Sequence, residues 1–190
     1  MGRTLVIAVS AALVSVAAIA GSALLSRDPG NNGSSSRPIR PVWTEAHWPF
    51  PIDPWGKGKA FRCKALDCGS EVHLYVRAKL GFCNCTTGIA DDADLERMGD
   101  LELIGRQAMP LDAGRPISVG SMQGRSRAYS ISGSQNRTET VISIALNQRC
   151  DMVAATVLLQ DGASPSIELA VMGFLNSATM LKWAEVTLGL

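Results

Sequence analysis

The residues of this chain best equipped for chemistry are its five cysteines: Cys63, Cys68, Cys83, Cys85 and Cys150. Two uses compete for them. In an oxidising compartment such a set forms a disulfide framework, and an odd count leaves one thiol over or pairs it with another chain. Cys63 and Cys68 flank the turn of a predicted hairpin. Opposed residues of antiparallel strands lie about 4.5–5.5 Å apart at Cα, within reach of a disulfide, so these two are expected to bridge. Cys83 and Cys85 are too close for an unstrained mutual bridge, and either could reach Cys150. The alternative is a thiol-based metal carrier. Cys63, Cys68, Cys83 and Cys85, with His73 nearby, could offer soft ligands to zinc or copper. Structural zinc sites favour two to four residues between paired ligands, and Cys-x-Cys is shorter than that. A bridged sulfur is not a thiolate ligand, so the two uses are nearly exclusive.

Other catalytic patterns are missing from the sequence. The only histidines are His47 and His73. There is no G-x-S-x-G elbow, no phosphate-binding G-x-x-x-x-G-K-[ST] loop, and no Cys-x-x-Cys ahead of a helix. No catalytic residue and no cofactor are therefore expected, and an enzyme would need a site without a motif. The net charge of +1 gives no electrostatic footprint for nucleic acid.

The second concentration of binding-competent side chains is Trp43, Trp48, Phe50 and Trp55, set among Pro41, Pro49, Pro51 and Pro54. Proline excludes helix and central strand here, so the stretch reads as an extended arm. Its rings either plug the surface of their own domain or form a stripe for a partner, because exposed tryptophan is costly unless covered.

These residues need a scaffold. Lys59–Cys63 and Glu71–Arg77 suit strands, with Val72, Leu74 and Val76 alternating with His73, Tyr75 and Arg77. KALDCGS between them is turn-like, and GFCNCTTGI is an irregular loop. Asp91 or Asp92 caps a helix predicted to run to about Ile104, with Leu95, Met98, Leu101 and Ile104 on one face and its acidic residues in solvent. Four β segments follow, at Pro116–Met122, Ser126–Ser132, Glu139–Leu146 and Asp151–Leu159, at meander spacing. Ser164-Pro165 opens a last helix with Ile167, Val171, Phe174, Ala178 and Leu181 as its stripe. Trp183 lies beside that stripe, Asn176-Ser177 is a candidate kink, and Gly189 ends the helix. The predicted class is α+β: an antiparallel sheet of five or six strands with a C-terminal helix packed on one face.

At the amino terminus, Leu5 to Leu25 runs for 21 residues without a charge, between Arg3 and Arg27. At 1.5 Å per residue this suffices to cross a bilayer core of about 30 Å. Residues 1–26 read as a transmembrane anchor or signal segment. Ala18-Ile19-Ala20 offers a small-x-small cleavage site, while the length of the run favours retention. Residues 27–42, rich in Gly, Asn, Ser and Pro, read as a flexible linker. Residues 43–190 are then one α+β domain. The expected location is the inner membrane, single-pass, with the domain in the periplasm, or soluble there if the segment is cleaved.

The stretch from Trp48 to Asp92, carrying FRC, DCG and GFCNC, resembles a family of uncharacterised bacterial exported proteins. That resemblance implies the compartment and no activity. The closing order of strands and helix is also similar to the PsbP-like fold, which implies a binding and assembly module. The resulting expectation is a membrane-tethered periplasmic binding domain, an accessory or assembly factor for a membrane complex.

Overall fold

The strands of this chain are rich in β-branched and aliphatic residues, alternating with polar ones at 72–77 and nearly continuous at 141–146 and 152–159, and every strand pairing among the described residues is antiparallel. The computed structural model describes residues 40–81, 85–104, 107–132, 138–160 and 165–190. They belong to one compact unit, Arg37–Leu190. The expected anchor at 1–26 and nearly all of the expected linker at 27–42 lie outside the described residues. Among the described residues, no helix is long and apolar enough to cross a membrane.

The chain begins with β1 (Trp43–Ala46), β2 (Lys59–Cys63), the single-turn helix α1 (Ala65–Cys68) and β3 (Val72–Lys79). Helix α2 (Asp92–Met98) and a 3₁₀ turn (Leu101–Ile104) follow, then β4 (Ala108–Pro110), β5 (Arg115–Val119), β6 (Met122–Ser132), β7 (Thr138–Gln148) and β8 (Asp151–Leu159). Helices α3 (Pro165–Leu175) and α4 (Ala178–Leu188) close it. The sheet has eight strands in the order β1-β2-β3-β8-β7-β6-β4, with β5 also on the outer side of β6. The two strands beyond the expected range are the shortest ones, β1 and β4. Each is an edge strand of three or four residues, too short to display a period. Prolines flank β1 but none lies inside it, so the segment expected to be an extended arm can pair with β2.

One face of the sheet carries the main core. Val72, Leu74 and Val76 of β3, Ile142, Ile144 and Leu146 of β7, and Val153, Val157 and Leu159 of β8 pack under the helices. The helices answer with Ile167, Val171 and Leu175 of α3 and Met180, Ala184 and Leu188 of α4, all at i, i+4 spacing. The expected single helix is two. The Ser177 hydroxyl caps α4 by accepting from the Met180 amide, and the Asn176 side chain turns away to accept from the Gly120 amide at 2.9 Å. One glycine is dictated by the sheet itself. A Cβ on Gly124 of β6 would stand 1.8 Å from the Ala145 carbonyl oxygen of β7.

Candidate functional site

The opposite face of the sheet holds the alternate residues of the same strands: His73, Tyr75, Arg77 and Lys79 of β3, then Arg125 and Arg127 of β6. A polar face of this kind normally meets water. Here Arg77 and Lys79 are 1% and 3% exposed, because α2 and the 3₁₀ turn lie across them with the acidic run. Arg77 Nε and Nη2 donate to the two oxygens of Asp100 at 2.6 and 2.7 Å, a bidentate pair. Lys79 Nζ donates to the Met98 carbonyl at 2.9 Å and approaches Asp100 Oδ1 at 2.7 Å. Farther along, Arg125 donates to Asp92 at 2.6 Å and Arg127 to Glu96 at 2.8 Å. The acidic run read as a solvated face is divided: Asp91, Glu96 and Glu102 are exposed, whereas Asp94 and Asp100 are buried and Asp100 joins an inner ionic seam. The helix also stops at Met98 rather than about Ile104. The chain turns at Gly99, which lets Asp100 reach the sheet.

This seam also positions the arm. Asp53-Pro54-Trp55-Gly56 is a tight turn with Asp first, Pro second and Gly last, and the Gly56 amide donates to the Asp53 carbonyl at 2.9 Å. One oxygen of the Asp53 carboxylate accepts from the Trp55 amide at 2.9 Å, and the other accepts from Arg77 Nη1. The Arg77 hydrogen bond holds the Asp53 carboxyl below the usual carboxylate range, against the opposing effect of desolvation. For Arg77, burial disfavours the charge, but the hydrogen bonds to Asp100 and Asp53 outweigh it and raise its pKa. Both groups stay ionised, and the turn is pinned to the centre of β3. Lys79 Nζ lies 5.6 Å from the centroid of the Trp55 ring.

The four aromatic candidates separate at this point. Trp43 stacks on Phe174 of α3 at 5.0 Å, and Trp48 is 4% exposed, edge-on to Phe50 and Tyr75. Phe50 also packs on Tyr75, at 4.8 Å. Trp55 alone remains 41% exposed. It lines a groove of about 450 Å³ together with Lys57, Lys59 and Leu80 and with Trp183 and Thr187 of α4. None of the described residues lining the groove is acidic. Lys59 is paired with Glu45 at 2.8 Å, whereas Lys57 has no acidic partner among the described residues.

A second cleft, about 590 Å³, lies at the far end of the sheet, with Thr86, Ser118, Gln123, Arg125, Asn147 and Arg149 in its walls. Its Arg125 is already paired with Asp92, and its walls adjoin residues 82–84, which lie outside the described residues.

The cysteines form two bridges. Cys63 and Cys68 are joined with their Cα atoms 6.0 Å apart, and Cys85 is joined to Cys150 across 65 residues. The first pairing is the expected one, but the geometry differs. Cys63 faces Val72 in the β2–β3 register, and Cys68 reaches it from α1 rather than from the opposing strand. Of the two candidates for Cys150, Cys85 makes the bond; Cys83 lies outside the described residues. With Cys63, Cys68 and Cys85 bridged, the expected thiolate set is not assembled. His73 Nε2 instead contacts Glu71 at 3.0 Å. Among the described residues, no group of His, Cys, Asp or Glu is placed to hold a metal ion. His47 is exposed on the arm.

The chain matches no family model, no curated protein and no solved structure. The site therefore rests on its own geometry. Sequence reasoning found Trp55 but not its partners. Trp183 reads as a flank of the core stripe and Lys57 as a basic edge. The signal that could have joined them is the Asp-Pro-Trp-Gly turn, which fixes a tryptophan at an exposed turn position.

Proposed function

We propose that this chain is an exported binding domain, held at a membrane by its N-terminal segment, which serves as an accessory or assembly factor for a membrane complex in the periplasm. The observation that carries the reading is the state of Trp55. A costly side chain is left exposed while an ion network anchored on buried Arg77 fixes the turn that bears it, in a groove that a second tryptophan, Trp183, also lines. Rigid aromatic walls around a concave, partly apolar site are the usual anatomy of a binding hot spot. The uncharged run Leu5–Leu25 and the resemblance to exported bacterial proteins support the compartment. A thiol-based metal carrier is disfavoured, because three of its four sulfurs, those of Cys63, Cys68 and Cys85, are committed to bridges.

The test is purification of the full-length chain from detergent-solubilised native membranes, wild type against Trp55→Ala. A stoichiometric membrane partner that is retained by the wild type and lost from a folded Trp55→Ala protein supports the reading. Equal retention by both overturns the groove as the docking site. The anchor is tested separately. The mature chain should begin at Met1 or Gly2 and resist a carbonate wash, and a mature terminus at Gly21 would refute retention.

A further inference from the structure

Resting on that reading of the groove, we infer that its occupant is an acidic peptide segment with an aromatic anchor, a ring-bearing side chain flanked by carboxylates. Three features of the groove select it. The first is charge. Lys57 and Lys59 stand at the groove, no described lining residue is acidic, and Lys57 has no acidic partner among the described residues, so an arriving carboxylate displaces nothing at Lys57. The second is Lys79. It does not line the groove, yet its ammonium lies against the Trp55 ring, held there by Asp100 and the Met98 carbonyl. A second cation brought to this ring would meet a like charge nearby. Basic segments and quaternary ammonium groups are disfavoured, while the ring of a neutral aromatic side chain can still pack on Trp55.

The third feature is extent. Exposed apolar side chains continue beyond the groove on the elements that form it. Ile52 precedes the Trp55 turn and Val186 follows Trp183 on α4; they are 76% and 69% exposed. A polypeptide covers such a footprint, whereas a small molecule filling the groove leaves Ile52 and Val186 in water. In this arrangement the ring supplies the anchor and the lysines supply selection among anchors.

The experiment titrates the full-length chain in detergent with four blocked tripeptides, Glu-Phe-Glu, Gln-Phe-Gln, Lys-Phe-Lys and Glu-Ala-Glu, and with phenylpropionate as a small-anion control. Glu-Phe-Glu should bind about fivefold more tightly than Gln-Phe-Gln, the scale of a solvent-exposed ion pair, and the gap should close in high salt. Glu-Ala-Glu should lose about tenfold or more, as should Glu-Phe-Glu on Trp55→Ala. Lys57→Glu, an exposed change that leaves the fold intact, should reverse the order so that Lys-Phe-Lys binds better than Glu-Phe-Glu. No preference for the acidic peptide, no reversal in Lys57→Glu, or phenylpropionate binding as tightly as the peptide would each overturn the inference. Absence of peptide binding while Trp55→Ala still loses the membrane partner removes the acidic-peptide class and leaves the docking site standing. Retention of the partner by Trp55→Ala removes the underlying reading as well.

Discussion

Replacing Asp100 with Asn tests whether the seam on the polar face of the sheet has the energetics its geometry implies. Asp100 is 2% exposed and is the shared acceptor for two buried cations, Arg77 and Lys79. The amide removes one negative charge and one bidentate acceptor without changing shape. Two cations then remain beneath α2, with only Asp53, whose side chain is one-third exposed, and the more exposed Glu102, 3.9 Å from Arg77, among the described residues to compensate. Leaving a buried charge without its partner costs about 3–5 kcal/mol. In a domain of this size each kcal/mol lowers the melting temperature by about 2–4 °C, so the drop should be about 6–20 °C. Circular dichroism melts at neutral pH measure it. Adding Lys79→Met to Asp100→Asn should recover a substantial part of the loss, because it removes the surplus cation while Arg77 keeps Asp53. A drop of less than about 2 °C for Asp100→Asn, or a double variant less stable than the single one, would refute the account. Either result would mean that water reaches Arg77 and Lys79.

Three further outcomes are expected. Denatured, unreduced protein should show one free thiol by alkylation, and loss of the Cys85–Cys150 bridge in Cys85→Ala/Cys150→Ala should cost about 4 kcal/mol in chemical denaturation. Loss of the five-residue Cys63–Cys68 closure should cost about 2 kcal/mol, because the closed loops differ so much in length. The Asp53 carboxyl is depressed by Arg77, that of Glu71 by Arg62, and that of Asp92 by the Gly114 amide, so the unfolded chain takes up these protons first. Their stabilisation is fully present above about pH 5, falls as the pH drops through about 4, and is gone below the folded-state values; acid melts of Asp53→Asn should show a shallower decline than wild type. Gly124→Ala should force β6 from β7, since the added methyl overlaps backbone, and urea denaturation should show a loss of about 3 kcal/mol or no folded protein.

The apolar half of this fold is legible in the sequence and the polar half is not. The alternation of Val72, Leu74 and Val76 announces β3 and its core face, and Ile167 and Val171 announce the first covering helix; past the break at Asn176-Ser177 the buried positions are Met180 and Ala184 rather than the expected Ala178 and Leu181. Alternation also reports that His73, Tyr75, Arg77 and Lys79 share the other face, but not what lies on that face. The acidic run from Asp91 looks solvated because charge is assigned to water unless a partner is in view. The partners, Arg77, Arg125 and Arg127, are brought to it only by strand pairing across long stretches of chain. The short edges β1 and β4 carry no periodic signal, and their pairing is decided by the neighbouring strand. Trp55 and Trp183 come to line one groove for the same reason: one lies on a turn and the other on the last helix, and only the folded sheet brings the two elements together.

The sheet order places β3 beside β8, with Val72 opposite Leu159 and Lys79 opposite Met152. A chain that emerges amino end first completes β1, β2 and β3 long before their central neighbour exists. Until β8 arrives, β3 presents an unpaired edge and a bare row of Val72, Leu74 and Val76, the kind of surface that aggregates or recruits a holding factor. The loop that must close is long, so this pairing is expected to be slow. The Cys85–Cys150 bond spans the same interval and forms one residue before β8 begins. Its oxidation therefore marks the arrival of β8, and the kinetics of that single bond can be used as a clock for the maturation of the whole domain.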